Sequence, residues 1–154
     1  MFEKKYYKVA VGGTFDRFHH GHRKLLETAF EIGNNVVIGV TSTEFAQVKG
    51  NVEPCSIRMF NLNEFLSKCN NVNFSIFKLD DSFGSTIFDE DFDAIVVSEE
   101  TEPTAVKINE IREQKNMDQL AIFVISYVVA DDGIPISSTR IRKGEIDIKG
   151  RIIK

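Results

Sequence analysis

Five short apolar runs, set apart by amphipathic stretches, restrict the fold open to this chain more than any other feature. Tyr7–Val11, Asn35–Val40, Val72–Leu79, Ala94–Val97 and Ala121–Ile125 are rich in Val, Ile and Phe and read as buried strands. Between the first two, Leu25, Leu26, Ala29 and Phe30 recur on one face of a helix from about His22 to Ile32, with Gly33 as its stop. Leu62, Phe65, Leu66 and Cys69 fall at i, i+3, i+4 and i+7 on a helix opening near Ser56. A further helix is expected from about Thr104 to Lys115, a short one beginning around Ser138, and a weaker one near Glu145–Lys149.

Strands that alternate with helices form parallel βαβ units. The expectation is an α/β chain with a Rossmann-like, doubly wound, parallel five-stranded sheet, residues 1–154 making one domain. Such sheets bind ligands outside the carboxyl ends of their strands, where the strand order reverses. The loop after the first strand therefore attracts attention before any other.

That loop reads GGTFDRFHHGH, from Gly12 to His22. Gly12 and Gly13 let the backbone approach an anion and take torsions closed to other residues. The following helix offers unpaired N–H groups and a partial positive charge. His19 and His22, three apart, can both point over one spot, each donating an N–H to phosphate and able to become cationic. His20, between them, faces elsewhere, and Asp16 accepts backbone N–H groups of the turn. Half a zinc site is the competing reading of the two histidines, but no third ligand has metal-type spacing.

Charge and cysteine content narrow the class. A net charge of −4 argues against a nucleic-acid binder held by phosphate contacts. No window approaches the apolar length of a membrane span, and MFEKKYYKVAVGG lacks the apolar core of a signal peptide. Cys55 and Cys69 show no CxxC spacing and read as free thiols of a reducing compartment, so a cytoplasmic location is expected. Nothing in the sequence speaks to the oligomeric state.

GGTFDRFHHGH resembles the first signature of the HxGH nucleotidyltransferases, and ISSTRIR, Ile136–Arg142, resembles their second. GGTFDRFHHGHRKLL, VSEETEPTAVKINEIR and VADDGIPISSTRIRKGEID together are similar to the archaeal and eukaryotic phosphopantetheine adenylyltransferases, over about Tyr7 to Asp147. The resemblance implies the HxGH nucleotidyltransferase fold and transfer of the adenylyl group of ATP to 4′-phosphopantetheine, giving dephospho-coenzyme A and pyrophosphate. Mg²⁺ would be brought with ATP and held largely by its phosphates and water.

Residue by residue, it implies that His19 and His22 hold the ATP phosphates, with His22 nearer the α-phosphate. Gly12, Gly13, Thr14 and Phe15 would line the nucleotide site, Thr14 where nucleotide and acceptor phosphate meet. Ser137, Ser138, Thr139 and Arg142 would hold the β- and γ-phosphates, hydroxyls and helix amides beside a guanidinium fork. Lys49 would neutralise the reacting phosphates, and Arg58 would reach the pantetheine arm or its phosphate. Arg140 is expected to face solvent. Arg17 stands where many superfamily members have proline, and SEETEP replaces the arginines that bacterial enzymes carry after the fourth strand. Another adenylyl or cytidylyl transfer on this scaffold, a silent nucleotide-binding module and a plain interaction domain remain the alternatives.

Overall fold

The computed structural model describes residues 6–47, 51–70 and 72–153. In chain order the elements are β1 (Tyr6–Gly13), α1 (His20–Ile32), β2 (Gly33–Thr41), α2 (Thr43–Ala46), α3 (Cys55–Ser67), β3 (Phe74–Leu79), β4 (Ala94–Ser98), α4 (Glu102–Gln114), β5 (Ala121–Ile125) and α5 (Ser138–Arg142). A turn of 3₁₀ helix, Gly84–Ile87, lies between β3 and β4. The five strands make one sheet of order β3-β2-β1-β4-β5, every pair parallel. The order reverses between β1 and β4, so the carboxyl end of β1 opens onto the expected crevice.

Alternation along the strands sorts the core into two layers. Val9 and Val11 of β1 and Val36, Ile38 and Val40 of β2 pack under Leu25, Leu26, Ala29 and Phe30 of α1 and Leu62 and Leu66 of α3. Ala10, Ile95 and Val97 face the opposite way and are covered by Ala105 and Ile108 of α4 together with Phe92 and Leu120. Over β1–β3 that second face carries an open groove of about 670 Å³, bordered by Val37, Gly39, Phe77, Leu79 and Phe83. Arg112 of α4, 1% exposed, ties the far side together by donating to the carbonyls of Thr86, Asp89, Phe92 and Asp118.

The helix α1 stops where Gly33 was expected to stop it, but not by a left-handed cap. Gly33 is extended, φ −119°, and already begins β2. A Cβ there would sit 2.5 Å from Val9 Cγ2, so close packing against β1 excludes a side chain. Near Glu145–Lys149 the expected helix does not form. Asp147 accepts from the amides of Lys149 and Arg151 and from Arg151 Nε, and an antiparallel bridge joins Ile146 to Ile152. A short acidic side chain that captures local amides competes with helix bonds. Ile136, Ala130 and Ile146 form a small buried cluster, against which Ile141 of α5 packs. Among the described residues no helix is long and apolar enough to cross a membrane.

Candidate active site

The loop from β1 to α1 begins inside the sheet. Gly12 and Gly13 still pair with Gly39 and Val40 of β2, and neither has a positive φ. The expected special torsions fall instead on Phe15 (φ 54°) and Arg17 (φ 47°), residues for which this region is disfavoured. The buried Phe15 ring, 1% exposed, and the contacts of Asp16 hold that conformation.

His19 is the N-cap of α1. Its Nδ1 accepts from the Gly21 amide at 3.0 Å, while His22 Nδ1 accepts from the His19 amide at 3.2 Å, a reciprocal capping box made of two histidines. The rings stack with centroids 3.7 Å apart and planes 18° apart, and Phe15 and Phe18 flank the His22 ring. A neutral imidazole accepting at Nδ1 carries its proton on Nε2, so Nε2 is the donor atom of each ring. Burial first, and the charge of His20 second, push the His19 pKa down to about 4, Asp16 pulling weakly the other way. His19 is therefore neutral near neutrality, with its proton on Nε2.

The glycine inside the motif has a steric cause that sequence reasoning did not find. A Cβ on Gly21 would stand 2.8 Å from His19 Cε1 and 3.0 Å from its Nδ1. Only glycine lets the His19 ring fold back onto this amide. The helix amides themselves are not left open as expected. His20 N donates to the Ile148 carbonyl at 3.2 Å and Gly21 N to His19.

Asp16 turns out to join the two signatures. It is 2% exposed, and its Oδ1 accepts from the Glu53 amide at 2.9 Å. Its Oδ2 accepts from Arg17 Nη1 at 2.7 Å and Arg142 Nη1 at 2.9 Å, and its carbonyl accepts from Ser138 Oγ at 2.6 Å. Burial alone would raise its pKa. The Glu53 amide and the two guanidinium groups outweigh that and hold the carboxyl below its usual range. No periodicity marks such a residue, because its partners lie far along the chain.

The hydroxyls of the second signature also have partners. Ser137 is the N-cap of α5 and accepts from the Arg140 amide, and Thr139 Oγ1 accepts from Arg142 Nη2 at 3.1 Å. Arg140 does not simply face solvent: it pairs with Asp132 and Glu145. Arg58, expected near the acceptor, is fully buried and bonds the carbonyls of Glu53 (2.7 Å) and Thr14 (2.8 Å) and Thr41 Oγ1 (3.2 Å). Arg58 Nη2 and Thr14 Oγ1 are buried without a hydrogen-bond partner among the described residues. Such orphaned atoms cost about 1–3 kcal/mol each unless a ligand satisfies them. Lys49 lies outside the described residues. Of the described site residues nominated from sequence, Gly12 alone borders the groove on the second sheet face.

A family model described as cytidylyltransferase-like matches residues 10–144. A phosphopantetheine adenylyltransferase of Methanothermobacter thermautotrophicus is 58% identical over 153 residues, 99% of this chain and 93% of that protein. One from Methanosarcina mazei is 51% identical, over 96% of this chain and 97% of its own length. Among solved structures, a protein of unknown function from Archaeoglobus fulgidus superposes with a TM-score of 0.71 at 34% identity, covering 78% of this chain and 98% of that one.

Proposed function

The chain belongs to the cytidylyltransferase-like family and, within it, to the phosphopantetheine adenylyltransferases, and from that membership we infer that it transfers the adenylyl group of ATP to 4′-phosphopantetheine. The products are dephospho-coenzyme A and pyrophosphate, a late step in making coenzyme A. A phosphate oxygen of the acceptor bonds to the α-phosphorus, and the bond from that phosphorus to the bridging oxygen breaks, its electron pair leaving with pyrophosphate. An anionic phosphate is already a nucleophile, so the protein need only position the partners and stabilise charge.

The observation that carries the reading is the stacked His19–His22 pair, whose Nδ1 atoms are both occupied by backbone amides, so that Nε2–H is the donor side of each ring. We propose that these donors hold the α-phosphate, His22 taking the charge that develops there. Gly12, Gly13 and Phe15 shape the nucleotide side of the loop. Thr14 Oγ1 and Arg58 Nη2, buried and unsatisfied, suit the acceptor phosphate, and family membership suggests Lys49 as the residue that neutralises the reacting phosphates. Ser137, Ser138, Thr139 and Arg142 form the wall at the β- and γ-phosphates. Arg142 spends two of its five N–H groups on Asp16 and Thr139, which leaves three for a ligand.

Among the described residues no three His, Cys, Asp or Glu side chains gather, and the carboxylate of Asp16 is committed to two arginines and an amide. We propose that Mg²⁺ comes with the substrate, as the chelate of ATP. A cytoplasmic site of action fits the two free thiols, Cys55 and Cys69.

A pyrophosphate-release assay tests the reading. Wild-type protein is offered ATP or CTP with 4′-phosphopantetheine, nicotinamide mononucleotide, flavin mononucleotide or glycerol 3-phosphate. ATP with 4′-phosphopantetheine should exceed every other pair in kcat/KM by roughly 10²-fold or more, the discrimination expected when polar site groups would be left unpaired. Release that is fastest with CTP or with another acceptor overturns it.

A further inference from the structure

We propose that Asp16 is a positioning residue for adenylyl transfer, acting on the triphosphate through Arg142. The inference rests on the function above, because it names how one wall of that site is held. Three observations carry it. Asp16 is among the most buried acidic groups of the described chain, yet none of its contacts serves the hydrophobic core. Its side chain and carbonyl reach two separate segments: the Glu53 loop, and both ends of α5 through Ser138 and Arg142. The backbone on both sides of it, at Phe15 and Arg17, sits at positive φ, a cost the loop sustains while its contacts hold it there.

The geometry is that of preorganisation. A free arginine side chain carries rotamer entropy, part of which is lost each time it grips a ligand. Asp16 Oδ2 at 2.9 Å and Thr139 Oγ1 at 3.1 Å hold both ends of the Arg142 fork before any substrate arrives. Arg17 shares the same oxygen, so one carboxylate oxygen faces two guanidinium groups. Glu53 completes the frame: its amide donates to Asp16 while its carboxylate accepts from the Arg17 amide at 2.8 Å. Asp16 touches no reacting atom. Its effect on the reaction passes through Arg142.

Asp16→Asn keeps the size of the side chain and an oxygen for the Glu53 amide, but its amide nitrogen cannot accept from Arg142. The expected result is a fall of about 10- to 100-fold in kcat/KM for ATP, with the KM for 4′-phosphopantetheine changed less than about threefold. The decisive experiment is a double-mutant cycle with Arg142→Ala. If Asp16 acts through Arg142, adding Asp16→Asn to Arg142→Ala costs less than about threefold further in kcat/KM for ATP. If the two losses multiply, or if Asp16→Asn alone has wild-type kinetics, the proposal is overturned. Thermal melts accompany each variant. Should Asp16→Asn not fold, Asp16→Glu, which keeps the charge but moves the carboxylate by one methylene, enters the same cycle with the same two outcomes. The cycle is read with whichever acceptor the wild-type protein uses, so a failure on 4′-phosphopantetheine would count against the function and leave the role of Asp16 still measurable.

Discussion

Asp16 Oδ2 and Arg142 Nη1 meet at 2.9 Å across 126 positions of sequence. Through that contact the loop that opens the chain's first βα unit and the short helix α5 near its end become one wall. Ser138, donating to the Asp16 carbonyl at 2.6 Å, closes the same joint.

The division of labour across this wall is open to measurement. Arg142→Ala should raise the KM for ATP and weaken pyrophosphate in the reverse reaction, while 4′-phosphopantetheine binding stays nearly intact, since the donors of α5 suit the leaving group. Steady-state kinetics in both directions check this. Equal weakening of both forward substrates would contradict it.

His22 is expected to act on developing charge rather than on ground-state binding. His22→Ala should lower kcat by roughly 10²–10³-fold, as for loss of one oxyanion donor, with a smaller change in ATP affinity. Single-turnover rates and equilibrium ATP titration separate the two effects.

Gly21→Ala offers a steric test of how the histidine pair is built. The added Cβ would lie 2.8 Å from the His19 ring, so the ring must swing away from its amide. Alanine is the better helix former by about 1 kcal/mol. The variant should therefore lose at least about tenfold in kcat, while its melting temperature falls little. A melting curve and a turnover assay on one preparation suffice.

Acid stability reports on His19. Its folded pKa is pushed down to about 4 by burial, against about 6.5 in an unfolded chain. Between those values the unfolded chain binds the extra proton, so stability rises with pH through that window and is lost as pH falls from about 6.5 toward 4. A gap of that size amounts to about 3 kcal/mol. Urea unfolding from pH 7 to pH 4 should show the slope, and His19→Asn should flatten it. The depressed carboxyl of Asp16 adds a separate loss, which sets in as pH falls through the ordinary carboxylate range and is complete only below it. The same neutral His19 predicts a rate that rises through about pH 6 with the second ionisation of the acceptor phosphate and then stays level toward about pH 8.

Much of the fold was legible because β-branched runs and 3.6-residue periodicity are local signals. The five strands and the helices α1, α3 and α4 stand within a few residues of where the sequence reading puts them. The HxGH loop and ISSTRIR were legible as motifs. What the motifs do not encode is contact across the chain. Nothing near Asp16 announces Arg142, and nothing near Gly21 announces that the His19 ring folds over it. Glycine also misled at Gly12 and Gly13, where strand pairing keeps ordinary torsions and the positive φ passes to Phe15 and Arg17. Near Glu145 the helical pattern lost to the Asp147 side chain, which gathers the amides that a helix would need.

The most direct test of the central claim follows the phosphorus atoms. Wild-type protein is incubated with 4′-phosphopantetheine and ATP labelled in turn at the α- and the γ-phosphate, and the products are separated. The account predicts that α-label appears in dephospho-coenzyme A and γ-label in pyrophosphate, in equal amounts, and that His22→Ala slows both together. Label from the γ-phosphate entering the acceptor, or α-label released only as AMP, would contradict it.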